Sequence, residues 1–350
     1  MELTPAQIDL DAFRQKVKGC IGGYLGISDR YSLTFGLYVK GKLYYYSNGD
    51  DGLSLRYDIG SISKTVTAHL ILSLADEGLI DLREQVNKYI ELPNGSYPTV
   101  YELLTHTAGY GNLTPIEITL PSLLSHGYAR KNIYEGCTAR MVIKCLGKRQ
   151  KRGKAGYGYS DFAYAILAVI AEAVTGRPFS LLMEEFLHGK LGMVNTVISE
   201  DPRTRRPLAA DRGRIYDFWR WNEDNPYIAG GGLVSNITDM MHYLILQLTD
   251  KRSFITGAHR LCQGSISGGS NIATCIGWHT YKRSNQLWHV GGVGTFRSSV
   301  IFNKKRQIAV AVLGNAKGAA SANVHYLAKM LYSEMKINKI RYPKNEENTD

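Results

Sequence analysis

Cysteine is sparse in this 350-residue chain, with five residues at Cys20, Cys137, Cys145, Cys262 and Cys275. Their number is odd and no two form a C-x-x-C pair, which excludes a disulfide framework or a cysteine zinc site and implies reduced thiols. Long apolar runs are missing as well, and nothing approaches the ~20 residues that cross a bilayer. The opening Met1-Glu2-Leu3-Thr4-Pro5 has no basic region leading into an apolar one. No secretory signal is therefore expected, and the chain is assigned to the cytoplasm. His69, His242 and His325 fall on predicted helices without metal-ligand spacing, so neither a metal nor a cofactor is expected. Gly291 to Gly294 lacks the G-K-[ST] ending and strand-to-helix setting of a phosphate loop. There is no internal repeat, low-complexity tract or obvious linker before the polar tail, 341–350.

Charge is unbalanced towards the positive, with 42 Lys and Arg against 31 Asp and Glu and a net +11. The clearest clusters are Lys148-Arg149-Gln150-Lys151-Arg152-Gly153-Lys154 and the group Arg203, Arg205, Arg206, Arg212 and Arg214. No nucleic-acid-binding motif accompanies them, so they are read as solvated loops, with steering of an anionic substrate as the alternative. The expected partner is a small molecule or short peptide, not a nucleic acid or a membrane; oligomeric state stays open.

What the chain does contain is an ordinary globular composition, 44% hydrophobic and 21% charged, long enough to bury a sizeable core. Its most informative stretch is Tyr57-Asp58-Ile59-Gly60-Ser61-Ile62-Ser63-Lys64, which runs into a segment with Val66, Leu70, Ile71 and Leu74 at helical spacing. Ser61 would open this helix and Lys64 would sit one turn on, on the same face. A serine hydroxyl needs a base to become a nucleophile, and a buried lysine short of counter-charge has a lowered pKa that suits it to that task. Taken alone, a serine at a helix start is more often just an N-cap.

Along the chain, a helix is expected over 4–18, then strands over 33–39 and 42–47 joined at Lys40-Gly41. Residues 76–220 are mainly helical in period, most clearly over 100–105, 138–146, 162–174 and 178–187. A helix over 238–248 precedes strands over 276–282, 286–290, 296–303 and 308–313, and a last amphipathic helix covers 319–335. The fold class is therefore α+β: an antiparallel sheet flanked by N- and C-terminal helices, with a mostly helical lobe inserted. The sheet lobe takes about 1–75 and 225–340, and the helical lobe about 76–224, within a single domain.

Two further segments bear on Ser61. Tyr159-Ser160-Asp161 follows Gly156 and Gly158 and directly precedes a helix. Its tyrosine could carry a proton if a nearby Lys64 lowered its pKa; a core tyrosine with an N-capping Asp161 is the alternative. Trp288-His289-Val290-Gly291-Gly292 ends a strand, where glycines let a substrate backbone approach the edge and the Gly292 N–H could join that of Ser61 in an oxyanion hole. A glycine-rich turn with an incidental histidine reads equally well there.

With S-x-x-K, Y-S-D and H-x-G in this order, the chain resembles the class C β-lactamase and DD-peptidase family, a β-lactamase/transpeptidase-like fold that also includes D-aminopeptidases and esterases. The resemblance runs from about Leu33 to Leu331 and includes Leu103-Leu104-Thr105-His106-Thr107-Ala108-Gly109 and Gly230-Gly231-Gly232. It implies that Ser61 is the acylated nucleophile, that Lys64 holds the proton network and that Tyr159 is the general base. Gly291 is the motif glycine and Gly292 the oxyanion donor. His289 stands where β-lactamases of this class have lysine, which implies a peptidase or esterase. Asp161 departs from the usual asparagine, whose amide would donate to a substrate carbonyl; a carboxylate only accepts, so a salt link to Lys64 or a substrate carrying an N–H, ammonium or hydroxyl is implied. His106 is assigned to the framework.

The function implied is a serine hydrolase working through an acyl-enzyme on a small peptide, amide or ester. A D-aminopeptidase, DD-peptidase or esterase type is preferred. An acyltransferase or β-lactamase on the same site is the alternative, and a catalytically silent binding protein on this scaffold is the alternative from another class.

Overall fold

The computed structural model describes residues 6–7, 32–47, 53–111, 114–126, 132–150, 156–198, 218–263, 271–282, 284–315 and 321–337. Its centre is a nine-stranded sheet in the order β1-β3-β2-β11-β10-β9-β8-β7-β6. The strands are β1 Ala6–Gln7, β2 Leu33–Val39, β3 Lys42–Ser47, and, after the short β4 Tyr57–Asp58 and β5 Val234–Ser235 that pair with each other, β6 Leu261–Gln263, β7 Ile272–Cys275, β8 His279–Tyr281, β9 Gln286–Val293, β10 Phe296–Asn303 and β11 Ile308–Gly314. The chain leaves the sheet after β3 and rejoins it at β6, so both ends of the sequence build it and the intervening residues supply most of the helices. This is the α+β architecture expected.

Two-residue alternation explains why the sheet has two covered faces. Phe35, Leu37 and Val39 of β2 and Val310 and Val312 of β11 point to one side, where Val324, Leu327, Ala328 and Leu331 of the Ser321–Ile337 helix close over them. The larger core lies on the other side and takes in the Ser63–Asp76, Asp161–Thr175 and Ile237–Thr249 helices.

The Ser63–Asp76 helix is buried all round from Ser63 to Leu74. A helix in that position must satisfy its polar side chains internally. Thr67 Oγ1 donates to Ala229 O at 2.9 Å, Thr65 Oγ1 donates to Ile62 O at 2.8 Å, and Ser63 Oγ accepts the Leu233 N–H at 3.2 Å. The Thr67 and Ser63 bonds tie the helix to the Ile228–Gly231 helix and to Leu233 just after it, and so locate what stands at its N-terminus.

Three differences from the sequence reading have physical causes. The helix expected over 4–18 is replaced at Ala6–Gln7 by a strand that pairs parallel with Tyr44 and Tyr45 of β3; an open sheet edge offers unpaired backbone groups that outweigh a weak local preference. The remainder of that span lies outside the described residues. The strand expected over 276–282 starts only at His279, as β8, and a separate β7 precedes it at Ile272–Cys275, because Gly277 turns between the two at φ +73° and a Cβ there would lie 2.8 Å from that of Ala68. Helices at Ile116–His126, Ile228–Gly231 and Ser253–Gly257 were not expected; the last two are about one turn long, too short to show a period. Of the basic clusters, Lys151 to Lys154 and Arg203 to Arg214 lie outside the described residues. No single described helix is long and apolar enough to cross a membrane.

Candidate active site

Ser61 does not start the α-helix. It sits in a 3-10 turn, Gly60–Ile62, that feeds into it. The tighter turn still leaves Lys64 next to it: Lys64 Nζ donates to Ser61 Oγ at 3.2 Å. Lys64 is fully buried, and it also contacts the Gly230 carbonyl at 2.5 Å and Asp161 Oδ1 at 2.5 Å.

Asp161 arrives from the N-terminus of the Asp161–Thr175 helix, where Ser160, not Asp161, is the N-cap: its side chain accepts the Ala163 N–H at 3.2 Å. Asp161 is thereby free to turn inward. Its second oxygen, Oδ2, accepts the Tyr134 hydroxyl at 2.8 Å. Tyr134 is held by stacking on Tyr227, ring centroids 4.2 Å apart and 6° from parallel, and its backbone carbonyl accepts from Asn225 Nδ2 at 2.7 Å. Sequence reasoning missed Tyr134 and Tyr227 and placed Gly230 only in a framework segment, since no local pattern marks a residue whose role is to contact Asp161 or Lys64 from far along the chain.

Tyr159 lies with its ring centroid 5.0 Å from Lys64 Nζ and hydrogen-bonds to both Ser61 and Lys64. His106 packs on that ring, centroids 4.5 Å apart, and its Nδ1 accepts the Ser160 N–H at 3.1 Å. With the Gly158 N–H donating to the His106 carbonyl at 2.8 Å, this histidine clamps the loop that presents Tyr159.

From the sheet, β9 brings His289, Gly291 and Gly292. It pairs with β10 along its whole length but with β8 only at Leu287 and Trp288. From His289 onward that side of β9 carries no strand among the described residues. His289 is buried, its ring stacked on that of His279 at 5.1 Å and 6.3 Å from the Tyr159 ring. Its Nδ1 donates to the Val290 carbonyl at 2.8 Å, which leaves Nε2 as the acceptor.

Gly291 and Gly292 lock β9 against the Ser61 turn. A Cβ on Gly291 would lie 1.9 Å from the Ile59 carbonyl oxygen, and one on Gly60 would lie 2.5 Å from the Gly292 amide nitrogen. Both contacts are backbone on backbone and cannot relax by a rotamer change. Gly291→Ala is expected to destabilise the protein by about 3 kcal/mol, the upper range for overpacking, measured as a lower urea midpoint. An unchanged midpoint would show that the strand and the turn are not in this contact.

The electrostatics correct one expectation. Burial works to lower the Lys64 pKa, but Asp161 and Tyr159 outweigh it and hold the amine above its ordinary range. Burial also raises Tyr159; Lys64 pulls it down, Asp161 pushes it back up, and the net is above the ordinary phenol. The counter-charge on Asp161 thus keeps Lys64 a cation and removes the lowered amine proposed as a base. His289 is pushed well below the ordinary imidazole range by burial, by His279 and by Lys64, and His279 is pushed down to about 4 by burial, His325 and Lys64. Both rings are neutral near pH 7.

All seven residues picked out from the sequence (Ser61, Lys64, Tyr159, Asp161, His289, Gly291 and Gly292) therefore meet at one place, between the buried helix, the helical region and the open edge of β9. An α+β sheet with a serine, a buried lysine and a tyrosine converging beside the stretch of β9 that β8 leaves unpaired defines a class of serine hydrolases. The chain matches the Beta-lactamase family over residues 15–332, and it belongs to that family.

Among its relatives, the D-alanyl-D-alanine-carboxypeptidase/endopeptidase AmpH of Escherichia coli (strain K12) is 27% identical over 195 residues, 53% of this chain and 47% of that protein. The chain thus spans about half the length of the curated relatives it matches. Among solved structures, a class C beta-lactamase superposes with a TM-score of 0.77 at 16% identity, over 95% of this chain and 99% of that one. A D-stereospecific amidohydrolase from Streptomyces sp. does so with a TM-score of 0.68 at 22% identity, over 88% and 94%.

Proposed function

We propose that the protein hydrolyses a small amide, peptide or ester through an acyl-enzyme on Ser61. The observation that carries this reading is the 3.2 Å contact between Ser61 Oγ and a buried, charged Lys64 beneath the Tyr159 ring. Ser61 Oγ attacks the acyl carbonyl carbon while its proton passes to Tyr159 in its phenolate form. Lys64 offsets the phenolate charge. The N–H groups of Ser61 and Gly292 receive the oxyanion. Tyr159 then returns the proton to the leaving nitrogen or oxygen, which departs as the carbonyl re-forms. A water molecule, deprotonated by Tyr159, releases the acid and regenerates the serine.

Peptide and ester substrates are favoured over β-lactams because a neutral His289, not a lysine, faces the pocket from β9. The AmpH and amidohydrolase names support an amide or peptide bond as the one cleaved. Asp161 offers no N–H to a substrate and already accepts from Lys64 and Tyr134. It therefore favours acyl groups that do not need a donor at that place.

The test is covalent labelling with a fluorophosphonate and a fluorescent penicillin, followed by turnover of D- and L-aminoacyl amides, p-nitrophenyl esters and nitrocefin. One probe adduct is expected on the native protein and none on Ser61→Ala. Asp161→Asn should shift turnover towards substrates carrying an acylamino carbonyl. Failure of every probe to react would favour the non-catalytic binder.

A further inference from the structure

The hairpin that carries Gly292 turns in two residues. Val293 of β9 pairs with Phe296 of β10, and Gly294, at φ +53°, is the first of the two residues between them, where such loops favour glycine. In a two-residue hairpin the pair that closes the loop is hydrogen-bonded and the next pair is not. That next pair is Gly292 and Arg297. The N–H and C=O of Gly292 therefore point away from β10, towards the side of β9 that β8 leaves unpaired. The amide suited to receive the oxyanion thus takes no direct support from the ladder of its own hairpin.

Arg297 supplies support from above. A pair without ladder hydrogen bonds brings its two side chains closest together. Gly292 has no side chain, so that of Arg297 folds over it: a Cβ on Gly292 would lie 3.3 Å from Arg297 Nη1 and 3.4 Å from its Cδ and Cζ. From there Nη1 donates to the Gly294 carbonyl at 3.0 Å and to the Phe296 carbonyl at 2.6 Å. One nitrogen thus ties the loop residue to the start of β10 across the tip of the hairpin. The guanidinium stays a cation, but it is half-buried, and burial pulls it below its ordinary range. Less water then competes for its charge, which strengthens both carbonyl bonds. Phe218 stacks on Phe296, ring centroids 5.9 Å apart, and seats the same hairpin through apolar contact.

We propose that Arg297 is a positioning residue for acyl transfer, holding the β9–β10 loop so that the Gly292 N–H stays aimed at the oxyanion and placing a fixed positive charge beside that donor. This rests on the acyl-enzyme reading of Ser61. The contacts of Arg297 are with the hairpin, so its effect reaches the chemistry through Gly292. Removing an oxyanion donor costs about a hundredfold to a thousandfold in rate, and loosening one costs less, about tenfold.

Labelling with a fluorophosphonate over a range of probe concentrations tests it on the native protein, Ser61→Ala, Arg297→Met and Arg297→Lys. Methionine keeps the apolar stem and removes the donors and the charge, whereas lysine returns one charged donor. The maximal labelling rate of Arg297→Met is expected to fall about tenfold, with the half-saturating probe concentration unchanged, and Arg297→Lys should recover to within about threefold of native. A native maximal rate in Arg297→Met would overturn the proposal. So would a loss confined to the half-saturating concentration, which would mark a substrate contact, or a lysine variant as slow as the methionine one. Urea midpoints measured alongside identify a methionine variant that is unfolded in the assay, which would assign the arginine to the fold and overturn the proposal as well. A native protein that labels no faster than Ser61→Ala would instead remove the acyl-enzyme reading, and this inference with it.

Discussion

Acylation of Ser61 is expected to fall by about a hundredfold or more in both Lys64→Ala and Tyr159→Phe, the scale for losing a positioned general base. The two losses have different origins. Phenylalanine keeps the ring that packs on His106 at 4.5 Å and removes only the oxygen that hydrogen-bonds Ser61 and Lys64. Folding should be preserved, and the deficit should appear in the labelling rate alone. Alanine at position 64 removes a buried cation and leaves the Asp161 carboxylate with only the Tyr134 hydroxyl. Breaking a fully buried pair on one side costs about 3–5 kcal/mol, and the 30% exposure of the Asp161 side chain puts this loss below that scale; the variant should still melt earlier, and Lys64→Met, which fills the space, separates the two effects. In the native protein the labelling rate should climb between about pH 6 and about pH 9, because the base acts deprotonated and Tyr159 is held above the ordinary phenol. A rate that is flat over that range, with Tyr159→Phe labelling normally, would remove the tyrosine from the mechanism.

Stability is expected to drop steeply in mild acid. His69, His106, His259, His279, His289 and His325 are all held below the ordinary imidazole range, with burial the largest cause in each. A histidine whose folded pKa is depressed contributes fully above the unfolded value of about 6.5, and that contribution is lost as pH falls towards the folded value, about 4 for His259, His279 and His325. Unfolding in this window takes up protons, and each costs about 1.4 kcal/mol per pH unit. Several acting together make the urea midpoint collapse between about pH 6 and about pH 4.5. Three of them, His106, His279 and His289, surround Tyr159, so the site should fail with the fold and not before it. A midpoint unchanged from pH 7 to pH 5 would mean that these rings are not neutral and buried.

Much of this was legible in the chain itself. The strands at 33–39, 42–47 and 296–303 match the observed β2, β3 and β10, because apolar residues in short runs bounded by turn residues have few other ways to be buried. The helices Asp161–Thr175, Ile237–Thr249 and Ser321–Ile337 were read to within two residues from their apolar period, whereas Ile116–His126 was not expected. Ser61, Lys64, Tyr159, Asp161, His289, Gly291 and Gly292 were picked out because three short motifs, S-x-x-K, Y-S-D and H-x-G, stand in the order of a family the chain resembles; no one spacing was enough alone.

Less visible were contacts made across the fold. Nothing near Tyr134 marks it as the partner of an aspartate 27 residues on, and nothing near Gly230 shows that its carbonyl receives a lysine 166 residues away. Local sequence determined which groups are present and which segments are helix or strand, since periodicity and turn chemistry act over a few residues. Only the packed structure decided their charge states. Whether Lys64 is a base or a cation depends on the carboxylate brought 2.5 Å from it and on the water excluded around both, and neither is a property of any one stretch of chain.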